Sequence, residues 1–211
     1  ELKACIALSI VSRSLLLLRL AFVFFLSLAW LVGAAALCVS LWIVSIMSSQ
    51  RELDLALCTA AEYGRLEGIR SLLDRGADVN AVCNNYNTPL HYASRTGHHQ
   101  CIELLLDRGA NINAVNKYNY TPLHHASING HHQCIELLLD RGANINAVNN
   151  NNYTPLHYAS RHGHHQCIEL LLDRHANINA VNQYKWAPLH LASCYGHHQC
   201  IELLIDRGAD K

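Results

Sequence analysis

The sequence contains few charged residues and few prolines, and it has no run of basic residues. Asp, Glu, Lys and Arg make up 15% of its 211 residues, against about 25% in a typical globular protein. The four prolines form no tract rich in proline and serine, which argues against a disordered chain. The lack of clustered Lys and Arg disfavours a nucleic-acid-binding protein, because neutralising phosphates requires clustered cations.

The few charges are unevenly placed along the chain. Residues 1–50 contain four charged side chains, those of Glu1, Lys3, Arg13 and Arg19. The remainder holds 13 of the 16 Lys and Arg residues and 15 of the 16 Asp and Glu residues, a net charge of −2. The sequence therefore predicts an apolar N-terminal segment, 1–50, followed by a water-soluble domain, 51–211.

Residues 20–47 form an uncharged run of 28 residues. As a helix this run would be about 42 Å long, against about 30 Å for the hydrocarbon core of a membrane. The sequence thus predicts one apolar transmembrane helix that anchors a single-pass protein, with the following domain in the cytoplasm. The run is too long for the apolar region of a signal peptide, which has about 7 to 15 residues.

A second interpretation of the N-terminal segment stays open. The chain contains a single methionine, Met47, and the water-soluble pattern begins directly after it. Residues 1–46 are, in this interpretation, translated upstream sequence, and the native protein starts at Met47. The protein would then be cytoplasmic and have no membrane segment.

A unit of 33 residues repeats along the water-soluble domain. Its most regular part is the sequence Thr-Pro-Leu-His, with Ala for Thr in the last copy. The copies begin at Thr88, Thr121, Thr154 and Ala187. The stretches 121–148 and 154–181 agree at 24 of 28 positions. An earlier unit, in register from Leu55, keeps the apolar positions but lacks this motif.

This period and the Thr-Pro-Leu-His-x-Ala motif closely resemble the ankyrin repeat. The resemblance implies an all-α solenoid of helix–turn–helix units joined by hairpin-like fingers. It covers five units: 52–84, 85–117, 118–150, 151–183 and 184–211. It also implies that the histidines of the motif form hydrogen bonds within or between units, and that the protein binds other proteins without catalysing a reaction.

The residues of one unit predict the same helices independently. Thr88 is a good N-cap and Pro89 suits the first helical position, so a helix is predicted from there to about Thr96. A second helix is predicted from about His99 to Arg108, before Gly109. Helices of two or three turns are unstable alone in water, so each unit must pack on its neighbours.

The sequence departs from the family pattern at the inter-unit turns. Ankyrin repeats commonly have Asp-x-x-Gly there, whereas this chain has Asn119 and Asn152 at the glycine position, and Asn tolerates positive φ well. Tyr86 and Lys185 at the same position predict altered turns. His175 replaces a C-cap glycine, at a predicted cost of about 1 kcal/mol.

Fifteen histidines and nine cysteines raise the possibility of a metal site. His98 and Cys101, with their copies, are spaced i, i+3 on one helix, which suits two ligands of a zinc ion. We expect Cys101 to be a core residue instead, because it replaces an aliphatic residue of the family and thiols pack as small hydrophobes. The odd number of cysteines and the absence of a framework spacing predict reduced thiols in a cytosol-like compartment.

No set of catalytic residues emerges, and no glycine-rich phosphate loop is present, so we expect no enzyme and no cofactor. The predicted function is a monomeric scaffold that binds another protein. The alternatives are a metal-binding helical repeat with a His/Cys ladder, and a purely structural spacer.

The units are nearly identical, so the positions at which they differ are not needed by the framework that all units share. These variable positions are the candidate binding residues. Variation concentrates at the fingers and at the pair of residues before the mid-unit glycine, and in the resemblance both sets line the concave face. The candidates include Tyr, Trp and Arg, which are enriched at binding hot spots. They are Asn85, Asn87, Arg95, Lys117, Tyr118, Tyr120, Ile128, Asn129, Asn151, Tyr153, Arg161, His162, Gln183, Tyr184, Trp186 and Tyr195.

Overall fold

Pairs of short helices follow one another along the part of the chain that the computed structural model describes, residues 49–210. An inner helix begins each pair and an outer helix completes it, and residues 49–210 contain no strand. The inner helices are α1 (49–62), α3 (Pro89–Thr96), α5 (Pro122–Asn129), α7 (Pro155–His162) and α9 (Pro188–Cys194). The outer helices are α2 (Leu66–Asp74), α4 (His99–Asp107), α6 (His132–Asp140), α8 (His165–Asp173) and α10 (His198–Asp206).

The predicted apolar helix at residues 20–47 lies outside the described residues, so membrane attachment and cellular location stay predictions. Among residues 49–210, none of the helices has the length and apolar character needed to cross a membrane.

The inner helices begin and end as the sequence predicts. In α5, the hydroxyl oxygen of Thr121 accepts a hydrogen bond from the amide of His124, and Pro122 occupies the first helical position. The imidazole Nδ1 of His124 in turn accepts from the amide of Thr121, at 3.1 Å. Gly130 ends the helix in the left-handed conformation, with φ 73°. The two ends of this helix are therefore marked within its own unit, the first by the Thr121 and His124 side chains and the second by the backbone of Gly130.

The motif histidines also join consecutive units. Because Nδ1 of His124 accepts a hydrogen bond, its proton lies on Nε2, which donates to the carbonyl of Tyr153 in the following finger at 3.0 Å. The same bond runs from His91 to the carbonyl of Tyr120 and from His157 to that of Trp186. These contacts confirm that the motif histidines form hydrogen bonds both within and between units.

One continuous apolar core runs through the stack. Equivalent leucines of the motif, such as Leu90, Leu123 and Leu156, are buried in it. Cys101 and its copies belong to the same core, which confirms the prediction that they are packing residues. Because the second to fifth units contribute the same leucine and cysteine side chains, the core has a pattern of contacts that is repeated between them.

The outer helices are linked by a series of ion pairs. The arginine after each outer helix contacts the final aspartate of the preceding one, with N–O distances between 2.6 and 2.9 Å. The pairs are Arg108–Asp74, Arg141–Asp107, Arg174–Asp140 and Arg207–Asp173. Each pair is partly exposed, so it contributes little to stability. Their main effect is to hold the outer helices in register.

Candidate partner-binding site

Three of the four fingers are shaped by an asparagine that takes the place of the aspartate usual in the family. In the second finger the side-chain oxygen of Asn116 accepts hydrogen bonds from the amides of Tyr118 and Tyr120, at 2.9 and 3.1 Å. Asn149 and Asn182 bind the next two fingers in the same way. A neutral amide oxygen therefore closes the turn that a carboxylate would otherwise close.

The glycine position of these turns has a left-handed backbone, as the resemblance implies. Asn119 has φ 61° and Asn152 has φ 59°. Lys185 adopts φ 63° at the same position, so the altered turn predicted there is not observed. Asn182 provides the reason, because its side chain makes the same two amide contacts as the other asparagines.

The first finger does differ from the others. It forms a short 3₁₀ helix, Asn84–Tyr86, in which both Asn85 and Tyr86 have positive φ. Cys83 stands where the other fingers have asparagine, and it forms a disulfide with Cys58 of α1, with Cα atoms 6.8 Å apart. The prediction of reduced thiols is wrong for this pair. A single bridge between residues 25 positions apart has no framework spacing by which the sequence would reveal it.

Backbone hydrogen bonds join the finger tips to one another. The amide of Lys117 donates to the carbonyl of Asn85 at 3.0 Å, and the amide of Gln183 donates to that of Asn151 at 3.1 Å. An equivalent bond joins Asn150 to Tyr118. The tips therefore form a continuous edge beside the inner helices, and we refer to this edge and the inner helices together as the inner face.

The inner face of the last three units contains a cavity of about 590 Å³. Seven of the predicted binding residues line it, together with Tyr158 and Leu191, which the prediction missed. The seven are Tyr120, Asn151, Tyr153, Arg161, Tyr184, Trp186 and Tyr195. We refer to this space as the aromatic cavity.

The inner wall of the aromatic cavity is a buried, hydrogen-bonded aromatic cluster. The hydroxyls of Tyr120 and Tyr158 lie 2.5 Å apart, and the side-chain amide of Asn149 donates to the hydroxyl of Tyr158 at 2.8 Å. The rings of Tyr153 and Tyr158 are stacked with their centroids 5.3 Å apart. Burial, together with the hydrogen bond to Tyr120, raises the pKa of Tyr158, so its hydroxyl stays protonated. These contacts fix the wall before any partner binds.

The outer rim of the cavity is exposed. Tyr184 is 65% exposed, Tyr195 50% and Trp186 40%. The guanidinium of Arg161 lies over the ring of Tyr195, 5.4 Å from its centroid, which is within the range of a cation–π contact. The rim therefore offers apolar surface beside one cationic group.

Four of the other predicted residues lie on the inner face away from the cavity and make local contacts. Arg95 forms an ion pair with Glu62 at 2.6 Å. Lys117 lies over the ring of Tyr118, 4.8 Å from its centroid. The side chain of Asn87 accepts a hydrogen bond from that of Asn116.

The remaining predicted residues serve the framework or lie beside the cavity. Ile128 packs against the cluster of Tyr153, Tyr158 and Leu191. Asn129 donates to a backbone carbonyl of its own helix. His162 stacks on His164, while Asn85 and Gln183 take part in the backbone bonds between fingers. The structure thus brings together seven of the predicted residues, all from the last three units, and leaves those of the second unit apart.

The two missed residues occupy one repeat position. Tyr158 and Leu191 correspond to Tyr92 and His125 in the earlier units, so this position varies as much as the fingers do. The position lies inside the first helix of the unit, outside the two sets of variable positions that predicted binding residues. Comparing the units at every position, and not only at the fingers and before the glycine, would have selected it.

The histidines proposed as metal ligands are engaged elsewhere. The Nε2 atom of His98 lies 3.2 Å from the carbonyl of Glu62, and His131, His164 and His197 make equivalent contacts with backbone carbonyls one unit earlier. Burial raises the pKa of the Cys134 thiol to about 12, which disfavours the thiolate that a metal needs. Within residues 49–210, no three His, Cys, Asp or Glu side chains are grouped so as to hold a metal ion.

Comparison with known protein families finds a match over most of the chain. A family model described as ankyrin repeats in three copies matches residues 57–149 and 142–211. A search of curated proteins found no match.

Proposed function

The chain belongs to the ankyrin repeat family, and from this premise we propose that it is a non-enzymatic scaffold that binds a partner protein on its inner face and at its finger tips. Ankyrin repeats generally act as protein–protein interaction modules. The observation that carries the proposal for this chain is the aromatic cavity in the last three units.

The chemistry of the cavity supports binding of a protein segment. Removing exposed aromatic surface from water contributes about 25 cal/mol per Å² to binding. Tyr184, Trp186 and Tyr195 offer such surface on a rim backed by the buried cluster around Tyr158. Because the wall is already held by hydrogen bonds, little ordering is needed on association, and less binding energy is lost.

The proposal is tested by removing the rim aromatics from the full chain. A photo-crosslinking amino acid at Tyr184 would identify the partner, and the purified partner would then be titrated against wild-type protein and the double variant Tyr184→Ala, Trp186→Ala. We expect the double variant to bind more than about tenfold more weakly, the loss typical of hot-spot aromatics. Its far-ultraviolet circular dichroism should be unchanged, since both side chains are exposed.

A control variant removes an exposed aromatic from the first unit. Tyr63 is 65% exposed, as Tyr184 is, and it does not line the cavity. We expect Tyr63→Ala to bind the partner normally. Equal affinities for all three proteins would exclude the cavity as the binding site, and failure to crosslink any protein would favour a structural spacer.

A further inference from the structure

Charges on the repeats are separated by face. From residue 79 onward, every Asp and Glu up to Asp206 lies in an outer helix. The inner helices and finger turns over the same stretch carry basic residues and no acidic ones. The basic residues are Arg95, Lys117, Arg161 and Lys185. Although the domain as a whole is close to neutral, its inner face from residue 79 to residue 206 is positively charged.

Two arginines at the same repeat position differ in their partners. Arg95 forms an ion pair with Glu62, which lies 33 residues earlier. Arg161 occupies the equivalent position two units later, but the residue 33 positions before it is Ile128. The position that Glu62 takes beside Arg95 therefore holds no carboxylate next to Arg161, whose guanidinium lies over Tyr195 at the rim of the cavity.

The aromatic cavity itself has no acidic lining residue. Arg161 is its one charged lining residue among those that the structure describes, and the other polar groups are tyrosine hydroxyls, the Trp186 indole and the Asn151 amide. A guanidinium binds a carboxylate through two parallel hydrogen bonds, and such a pair is stronger when solvent is partly excluded. The lining thus complements a single negative charge flanked by apolar groups.

We propose that the aromatic cavity binds an acidic side chain, Asp or Glu, within an extended partner segment, with Arg161 as its ion-pair partner and Tyr184 and Trp186 in contact with the flanking apolar residues. This inference rests on the proposed function, and it names the chemistry of the segment that the inner face recognises. Arg161 determines the specificity for the acidic residue, while the aromatic rim supplies most of the affinity.

A single nucleic-acid strand is a less suitable occupant, although tyrosine and tryptophan also stack on bases. A nucleic acid needs cations spaced along several phosphates. On the inner face Arg95 is already paired with Glu62 and Lys117 lies over Tyr118. Arg161 and Lys185 remain near the cavity, which suits one or two negative charges better than a chain of them.

The first experiment selects peptides from a displayed library of random 12-residue sequences, using the full chain as bait. We expect the peptides bound by wild-type protein to contain Asp or Glu next to an aromatic or leucine residue. Selection with Arg161→Gln should lose the acidic residue and keep the apolar one. Selection with Arg95→Gln should match wild type, because Arg95 is already neutralised by Glu62.

The second experiment measures the affinity of one selected peptide by fluorescence anisotropy. Replacing its acidic residue by the corresponding amide should weaken binding to wild-type protein about tenfold, and should have little effect on binding to Arg161→Gln. Ile128→Glu provides an independent variant, since it gives Arg161 the internal partner that Arg95 has. It should also remove the acidic preference while the guanidinium stays in place. A phosphoserine version of the peptide and a 12-nucleotide oligothymidine are measured alongside.

The outcomes separate this inference from the proposed function. Peptides that bind in the cavity without an acidic preference, or with one that survives Arg161→Gln, would overturn the role of Arg161 and leave the scaffold function standing. Tighter binding of the oligothymidine than of any peptide would overturn the choice of a protein segment. Tighter binding of the phosphoserine peptide than of the Asp or Glu peptide would show that the aromatic cavity prefers a phosphate to a carboxylate. That result would overturn the choice of Asp or Glu. Recovery of no peptide above an empty-resin control would overturn both proposals.

Discussion

The imidazole ring of His164 lies where a β-carbon on Gly130 would be placed. The ring atoms Nδ1 and Cε1 of His164 would be 2.6 and 2.8 Å from that carbon. The glycine thus serves two purposes, since it also adopts φ 73° to end α5. The ring remains close because its Nε2 atom is hydrogen-bonded to the carbonyl of Ile128 at 2.9 Å.

Gly130→Ala should therefore destabilise the protein more than the same change at Gly142. Both glycines have positive φ, but a β-carbon at Gly142 would meet no atom within 4 Å. We expect a loss of about 1 kcal/mol for Gly142→Ala from backbone strain, and about 1 kcal/mol more for Gly130→Ala because His164 must move and its hydrogen bond is lost. Urea unfolding followed by circular dichroism measures both. Equal losses would show that the close contact has no energetic effect.

His175→Gly should stabilise the protein by about 1 kcal/mol. His175 has φ 66° at a position where the four other units have glycine, and it is exposed, so its side chain is dispensable there. The reverse change, Gly142→His, should cost a similar amount. A higher urea midpoint for His175→Gly and a lower one for Gly142→His would support this account of the backbone cost. A lower midpoint for both variants would show that the His175 side chain makes a stabilising contact.

Stability should fall as the pH is lowered from about 6.5 to about 4. Burial lowers the pKa of His124 to about 4, and neighbouring His91 and His157 add to the effect. The unfolded chain therefore binds protons below pH 6.5 while the folded chain does not, and each such histidine can cost about 1 to 3 kcal/mol at pH 4. The stability that is lost in acid is fully present above pH 6.5. Urea midpoints at pH 7, 5 and 4 measure the loss.

His125 provides a matched control for this pH dependence. Burial, followed by the charges of His91, His124 and Arg95, lowers its pKa to about 3, and its Nε2 atom is buried without a hydrogen-bond partner. Tyrosine occupies the same position in two other units. His125→Tyr should lose less stability between pH 7 and pH 4 than wild type does. An unchanged pH profile would mean that His125 makes no contribution to acid sensitivity.

Leu191→Tyr should be more stable than Leu191→Phe by about 1 kcal/mol. Asn149 donates its side-chain amide to the hydroxyl of Tyr158, but Leu191 stands at the tyrosine position of the last unit. The side-chain nitrogen of Asn182 is consequently buried without a partner. The tyrosine hydroxyl should supply the missing acceptor, and thermal unfolding of the two variants isolates its effect. A phenylalanine variant as stable as the tyrosine one would contradict this account.

The repeat architecture was readable from the sequence because its determinants are local. Thr121 and Pro122 fix the start of a helix and Gly130 fixes its end, and the 33-residue spacing copies these signals along the chain. The family match confirms the fold that they predict. The candidate site was predictable only where it depends on variation between units, as at Trp186 and Tyr195.

What the sequence did not reveal depends on contacts between units. The disulfide joins residues in α1 and the first finger, and nothing near either cysteine indicates the other. The different roles of Arg95 and Arg161 depend on the residue one unit earlier, which is Glu62 for one and Ile128 for the other. A motif taken by itself does not show which residue lies one unit earlier. Alignment of the units does show it.

The series of Arg–Asp ion pairs between the outer helices has a consequence for how this protein can change in length. Each pair joins residues 34 apart, and His91, His124 and His157 each donate to a carbonyl 29 residues ahead. The units that carry the motif therefore offer their successors the same set of framework partners. An in-frame duplication of residues 118–150 would insert a cassette that matches both of its new neighbours. Recombination between near-identical segments can lengthen such an array while the last three modules keep their own recognition surface.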